Sequence, residues 1–153
     1  MSIALIHLQE LMHSLGPSSS WVDSLIQEAS DSWTLQTSDG LSIAMTFNLE
    51  TSRLFLSALL GQPEEAHQSA IYATMLCVNL LYAEDHSLRV ALTGPSGELM
   101  LIGEVSLADW TIDSLQRCIL HFHQHATHLM EEIHAIAGTD MTPEISERDF
   151  LRA

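Results

Sequence analysis

Apolar residues recur at intervals of three and four residues along three stretches of the chain, and this spacing predicts three amphipathic α-helices. The first predicted helix ends at Gly16-Pro17, a pair that commonly stops a helix. The central helix has Pro63 at its start, where a missing N–H costs nothing. The predicted spans are residues 3–15, 63–84 and, from Asp109 or Thr111, to Gly138.

A shorter apolar recurrence follows the first helix and predicts an additional, short helix. Its apolar positions are Trp21, Val22, Leu25, Ile26 and Ala29, with the serines at 18–20 as a linker and N-cap. The segment 18–30 is therefore predicted to be helical.

Elsewhere the apolar period is two residues, which predicts half-buried β-strands. Asp39-Gly40 and the stretch 94–97 are rich in turn residues and predict hairpins. Short connections make neighbouring strands antiparallel. The alternating positions lie in residues 33–37, 41–47, 54–60, 88–92 and 99–101, with a further strand extension over 103–107.

The order of these elements is α-(α)-β-β-β-α-β-β-α, which indicates an α+β fold with helices packed on an antiparallel sheet. We expect one domain over residues 1–137, because no linker or composition change divides them. Residues 138–153 mix acids with Pro143 and two arginines, and we expect them to form a flexible C-terminal tail.

The central helix carries two apolar stripes, about 100° apart on a helical wheel. One stripe contains Ala66, Ala70, Ala73, Cys77, Leu80 and Leu81 and is expected to face the sheet of its own chain. The second contains Ile71, Met75, Val78 and Tyr82, and we expect it to lie at a symmetric interface with a second copy. An internal helix of a monomer is the alternative.

The composition excludes several classes of partner. The chain has 20 acidic residues and five basic residues, all arginine, for a formal net charge of −15. Such a charge repels phosphate, so neither nucleic acid nor an anionic membrane is an expected partner. A basic protein partner is favoured, although acidity also serves solubility.

Two cysteines without a CxxC pair indicate free thiols in a reducing compartment, and no secretory signal or membrane-spanning run is present. We therefore expect a cytoplasmic protein.

The last helix carries the residues that most resemble a catalytic or metal site. Cys118, His121, His125, His128 and Glu132 share one face, but no HExxH pattern occurs, and a single helix face seldom completes a zinc site. No nucleophile elbow, P-loop or dinucleotide fingerprint is present. We expect a non-catalytic binding protein without cofactor or metal.

Several strings, taken in order, resemble the type III secretion chaperones of the Tir chaperone (CesT) family. They are LQELMHSLG (Leu8–Gly16), SDG followed by LSIAMTF (Leu41–Phe47), RLFLSALLG (Arg53–Gly61), LCVNLLYAEDHSLRVAL after the start of the central helix, and GELMLIGEVSL before the last helix. Asn79 stands where the family often has asparagine. The extra segment at 18–30 and the histidine-rich last helix depart from the family pattern.

The resemblance implies a bacterial cytoplasmic homodimer that binds the N-terminal region of secreted effector proteins and delivers it to the export ATPase. It implies that the central helix, including Asn79, contributes to the dimer interface. A regulatory or scaffold dimer that binds a secretion or transcription component is the alternative, followed by a metal-binding protein. The effector-binding residues implied are Leu8, Leu11, Met12, Leu35, Ile43, Met45 and Phe47.

Overall fold

A computed structural model describes residues 2–84, 87–95, 97–106 and 109–138 of the chain. The described part contains a six-stranded antiparallel sheet and three α-helices, so the α+β fold class is confirmed. The tail predicted beyond Gly138 lies outside the described residues. The helices are α1 (Ile3–Ser18), α2 (Gln68–Tyr82) and α3 (Ile112–Gly138), and the strands are β1 (Val22–Ala29), β2 (Ser32–Thr37), β3 (Ser42–Asn48), β4 (Arg53–Gly61), β5 (Leu88–Leu92) and β6 (Leu99–Ser106).

The strands are ordered β1-β2-β3-β4-β6-β5, so β1 and β5 form the two edges of the sheet. Hairpins join β1 to β4 in sequence, and α2 then carries the chain across to the far edge. Gly40 adopts a φ of 93° in the β2–β3 turn, a conformation that favours glycine.

One face of the sheet and the three helices enclose a single core. Alternate residues of β2, β3 and β4 are buried, as the period of two predicted, and those between them are more exposed. The helices contribute their own apolar stripes to the same cluster. The helix residues in the core are Leu5, Leu8, Met12 and Leu15 of α1, Ile71 and Met75 of α2, and Leu115, Ile119, Phe122, Ala126 and Leu129 of α3.

The prediction of a helix over residues 18–30 is wrong, because Val22–Ala29 form the edge strand β1. Its register against β2 shifts between Val22 and Ser24 and again between Gln27 and Ala29. Each such irregularity interrupts the alternation of faces, so the apolar residues no longer follow a period of two. The helix-like spacing is a consequence of these shifts.

Two helix boundaries also differ from the prediction. Helix α1 continues through Gly16-Pro17 to Ser18, whose hydroxyl donates a hydrogen bond to the carbonyl of Ser14 at 2.6 Å. The central helix is α-helical only from Gln68, since residues Glu65–His67 form a 3₁₀ turn before it. The central helix thus begins five residues later than predicted, more than the residue or two by which helix boundaries ordinarily vary.

Candidate interaction surfaces

The residues expected to contact an effector are part of the core, with one exception. Leu8, Met12 and Phe47 are 1% exposed, and Leu35, Ile43 and Met45 are 0% exposed. Only Leu11 of this set is half-buried. The six buried side chains support the sheet and α1 from inside, and each of them exposes 1% or less of its surface.

The two apolar stripes of α2 face the opposite way from the prediction. Ile71 and Met75 are buried in the core of their own subunit, while Val78, Asn79 and Tyr82 are half-buried. The stripe that was expected to face the sheet is the solvent-facing one. Its members Leu80 and Leu81 are 75% and 74% exposed, and its Cys77 is also exposed. Leu76, next to this stripe in sequence, is 70% exposed.

The sequence did not reveal which stripe of α2 is buried, because both stripes are apolar and hydropathy does not distinguish between them. Asn79 offers a usable signal, because an amide beside a sheet edge can hydrogen-bond the backbone. Its side-chain nitrogen donates to the carbonyl of Val90 at 2.9 Å, and its oxygen accepts from the N–H of Val90 at 2.7 Å. These two bonds fix the face of α2 that turns toward β5.

The exposed leucines of α2 continue onto strand β5. Leu92, at the end of β5, is 40% exposed, and a groove of about 290 Å³ runs between α2 and β5. The groove is lined mainly by apolar side chains, among them Tyr72, Leu76 and Leu92. We call Leu76, Cys77, Leu80, Leu81 and Leu92 the α2 patch. Large exposed apolar patches are a common feature of protein–protein interaction sites.

A second groove lies at the other edge of the sheet, between α1 and β1. It has a volume of about 360 Å³, and its walls include Met12 and Pro17 of α1 with Val22 and Leu25 of β1. Val22 and Leu25 are half-buried and pack against the core, whereas Ile26, the next residue along the strand, is 54% exposed. Because side chains alternate along a strand, Ile26 lies on the opposite face of the sheet from Leu25.

The two edges of the sheet differ in their backbone groups. At the β5 edge, Asn79 bonds both the N–H and the carbonyl of Val90, as described above. At the β1 edge, the side chain of Gln9 donates to the carbonyl of Ser30, at the turn beyond the strand. An edge strand with open backbone groups can pair with an extended segment of another chain. Strand β1 is therefore the better place for such pairing.

The histidines of α3 form short networks with neighbouring elements. His125 Nδ1 lies 2.9 Å from the Tyr82 hydroxyl, and His125 Nε2 lies 3.1 Å from His121 Nε2. His123 Nε2 lies 2.8 Å from an Asp39 carboxylate oxygen, in the β2–β3 turn. The Thr37 hydroxyl bonds the same carboxyl group and, with His123, lowers the pKa of Asp39. These contacts tie α3 to α2 and to the turn.

The face of α3 that carries Cys118, His121, His125, His128 and Glu132 does not gather a set of metal ligands in the described part of the chain. Among the described residues, no three of His, Cys, Asp and Glu come together in a way that could hold a metal ion. Cys118 is half-buried, and burial raises the pKa of its thiol to about 11, so it is a poor thiolate ligand. No helix in the described part of the chain is long and apolar enough to span a bilayer.

Comparison with protein families found one match that covers most of the chain. The model of the Tir chaperone protein (CesT) family matches residues 8–130. The match includes α1 from Leu8, the whole sheet, α2 and α3 as far as Met130. Comparison with curated protein sequences found no match.

Solved structures show the same fold at low sequence identity. A chain of the HopA1–SchA chaperone–effector complex has a TM-score of 0.66 at 13% identity, covering 86% of this chain and 98% of its own. A chain of the ExsC–ExsE complex has a TM-score of 0.64 at 16% identity, covering 86% and 96%. YbjN, a putative transcription regulator from E. coli, has a TM-score of 0.57 at 15% identity, covering 86% and 91%. The same fold can carry out more than one function. These structural likenesses therefore establish the architecture of the chain and leave its function to other evidence.

Proposed function

This chain belongs to the Tir chaperone protein (CesT) family, and from that premise we propose that it is a type III secretion chaperone. It acts as a homodimer that binds the N-terminal region of a secreted effector protein in the bacterial cytoplasm and keeps it competent for export. Its partners are the effector segment and the secretion ATPase that receives it. The activity is binding, and no catalytic step is assigned to the chain. The family match over residues 8–130 is the observation that carries the proposal.

The α2 patch is the proposed dimer interface, in place of the buried stripe. Burying one exposed leucine contributes about 1.5–3 kcal/mol, so three from each copy together contribute about 9–18 kcal/mol, which offsets the cost of association, about 4–15 kcal/mol. Leu92 and the adjoining groove add further apolar area. A two-fold axis next to α2 would bring the same patch of both copies together. Val78, Asn79 and Tyr82 then lie beside the interface, while Ile71 and Met75 support it from the core.

The groove between α1 and β1 is the proposed binding site for the effector segment. It offers half-buried apolar walls at Leu25 and Val22, and the edge strand beside it can accept a further strand. Leu11, the one predicted contact on α1 that keeps accessible surface, lies outside this groove and lines a separate recess with Ile3 and Trp110. The buried residues of the predicted set, such as Met12 and Phe47, act by shaping the groove and the sheet behind it. Extended segments bound in this way gain affinity from the backbone and specificity from side-chain pockets.

Co-expression with the N-terminal regions of effectors encoded in the same genome tests the proposed function. We expect a soluble complex that contains two chaperone chains for each effector segment, measured by native mass spectrometry. Failure with every effector of that genome would contradict the proposal.

Leu25→Glu tests the groove. We expect it to weaken binding of an effector segment at least tenfold, because a carboxylate would replace one of the groove's apolar contacts and would lose water when the segment binds. Ile26→Glu is the matched control, since it adds the same charge one residue further, on the opposite face of the strand. Equal loss of affinity in both variants would argue against the groove.

Leu76→Glu combined with Leu80→Glu tests the dimer interface. We expect this variant to be monomeric in sedimentation equilibrium at concentrations where the native chain is dimeric, with an unchanged circular dichroism spectrum. Ile3→Glu is the control, because Ile3 is 86% exposed and lies on α1. A double variant that remains dimeric would place the interface elsewhere.

A further inference from the structure

A third groove, of about 720 Å³, lies between the β2–β3 turn, strands β3, β4 and β6, and the second half of α3. We call it the α3 groove. It shares no lining residue with the groove between α1 and β1 or with the groove between α2 and β5. Its volume lies within the range of about 300–1,000 Å³ that is usual for binding sites, so it can take several side chains of a partner.

Small side chains leave room above the floor of the α3 groove. Ala44 pairs with Ser57 across β3 and β4, and both residues line the groove. Two residues further along β4, Leu59 pairs with Met100 of β6 and remains 48% exposed. Met130 of α3 adds another apolar side chain. The groove therefore offers apolar surface that the aliphatic side chains of a partner can cover.

Two carboxylates stand at the rim of the α3 groove. Asp39 of the β2–β3 turn and Glu131 of α3 both line it, and both are exposed. The Thr37 hydroxyl and His123 bond the Asp39 carboxyl and lower its pKa, so this group is negatively charged at neutral pH. The described residues that line the groove include His134 but no arginine, and the sequence contains no lysine. An apolar floor is thus combined with an acidic rim.

We propose that the α3 groove binds a segment of a partner protein in which arginine or lysine residues flank large aliphatic ones. The cationic side chains meet the carboxylates of Asp39 and Glu131, while the aliphatic ones cover Leu59. A second copy of this chain does not fit, because its own formal net charge of −15 would be brought against the same rim. Acidic segments and phosphate backbones are repelled for the same reason.

Three synthetic peptides of equal length test the proposal with the full chain. One is made of arginine and leucine, the second of glutamate and leucine, and the third of arginine and serine. We expect the arginine–leucine peptide to bind at least tenfold more tightly than the other two at about 150 mM NaCl, where long-range charge effects are screened. Fluorescence anisotropy would measure all three affinities. Equal affinity for the arginine–serine peptide would overturn the proposal, since net charge alone would then explain the attraction.

Methionine methyl groups locate the bound peptide. Met100 and Met130 line the α3 groove, whereas Met12 lines the groove between α1 and β1 and Met75 lines the groove between α2 and β5. In an NMR titration of methyl-labelled protein, we expect the signals of the first two residues to shift and those of the other two to stay in place. Unmoved signals of Met100 and Met130 would overturn the proposal.

A matched pair of double variants separates the acidic rim from the overall charge. Asp39→Asn with Glu131→Gln should weaken binding of the arginine–leucine peptide about fivefold, because two exposed ion pairs are lost. Asparagine suits a turn before glycine as well as aspartate does, so the turn is kept. Glu10→Gln with Glu50→Gln is the control, because both residues are exposed, lie outside the groove and change the net charge by the same amount. Equal losses in the two double variants would contradict a role for the rim.

Leu59→Ser tests the apolar floor without adding charge. It should weaken binding of the arginine–leucine peptide at least threefold, because an apolar contact is lost. Leu49→Ser is the control, since Leu49 is 50% exposed and lies outside the groove. Native affinity in Leu59→Ser would overturn the proposal. None of these measurements requires an effector, so their outcome is separate from that of the co-expression test.

Discussion

At the residue scale, Asn79 has a structural role that also protects the sheet. Its amide donates to the carbonyl of Val90 and accepts from the N–H of the same residue, as a neighbouring strand would. Both bonds lie at the β5 edge, next to the α2 patch. The side chain thus occupies backbone groups that would otherwise be open to another chain.

Asn79→Asp should destabilise the protein by about 1–3 kcal/mol, measured by urea unfolding. The carboxylate can still accept from the Val90 N–H, but it cannot donate to the carbonyl, so a half-buried acceptor is left facing a negative charge. Hydrogen exchange should separate the two bonds, because the Val90 amide keeps its acceptor. An Asp variant as stable as the native chain would show that the donor bond contributes little.

Gly103 lies on the core side of β6, where any larger side chain would meet α3. A Cβ atom at this position would lie 2.9 Å from Phe122 Cδ2 and 3.1 Å from Phe122 Cε2. Since Phe122 is 1% exposed and enclosed by the core, it cannot move away at low cost. Gly103→Ala should therefore destabilise the protein by about 1–3 kcal/mol.

Gly138→Ala is the control for this prediction, because a Cβ there would meet no heavy atom within 4 Å beyond its chain neighbours and its own helix backbone, and the residue is the last of helix α3. That variant should be unchanged or more stable, by up to about 1 kcal/mol. Adding Phe122→Leu to Gly103→Ala should recover part of the loss, and additive effects of the two substitutions would contradict the proposed contact.

At the element scale, α2 has two apolar faces with different surroundings. One packs on the sheet through Ile71 and Met75, and the other presents Leu76, Leu80 and Leu81 to solvent. Cys77 is exposed on the outer side, while Cys118 is half-buried in α3. The reactivity of Cys77 therefore depends on what covers the outer face of α2, whereas the reactivity of Cys118 depends on the packing of α3.

Alkylation should modify Cys77 first and should slow as the protein concentration passes through the range of dimer formation, because the proposed interface covers this thiol. Cys118 should react slowly at every concentration. A pKa of about 11 instead of 9.0 leaves about 100-fold less thiolate at a given pH below both values. Peptide mass spectrometry would measure both rates, and a Cys77 rate independent of concentration would count against this interface.

At the scale of the whole molecule, the formal net charge of −15 must affect every association. Two copies repel each other, whereas a basic cargo segment is attracted. Salt screens both effects, with a Debye length of about 30 Å at 0.01 M and about 10 Å at 0.1 M. Charge thus opposes dimer formation and favours cargo capture.

Raising NaCl from about 10 mM to about 150 mM should tighten the dimer and slow the association of a basic effector segment. Sedimentation equilibrium would measure the first effect and stopped-flow fluorescence the second. The opposite signs make the test specific, since a general effect of salt on folding would move both in the same direction. An association rate that does not change with salt would remove charge steering from the mechanism.

The hydropathy pattern by itself determined the local elements and the fold class. The period of two in β2, β3 and β4 and the stripe of α3 are strong, since each element buries one face and leaves the other exposed. The ordered strings also indicated the family that the match over residues 8–130 establishes. Acidity and the lack of lysine were readable without coordinates.

Tertiary structure decided everything that depended on choosing between apolar surfaces. Leu80 and Ile71 are equally apolar, and only the packing of α2 against β5, held by Asn79 and Val90, determines which of them is buried. Likewise, the irregular pairing of β1 with β2 disguised an edge strand as a helix. The spacing of the histidines along α3 was compatible with several groups of contacting side chains. The fold placed His125 in contact with both His121 and Tyr82. The reason is common to all three cases: side-chain chemistry sets what a residue can contact, while the path of the chain sets what lies within reach.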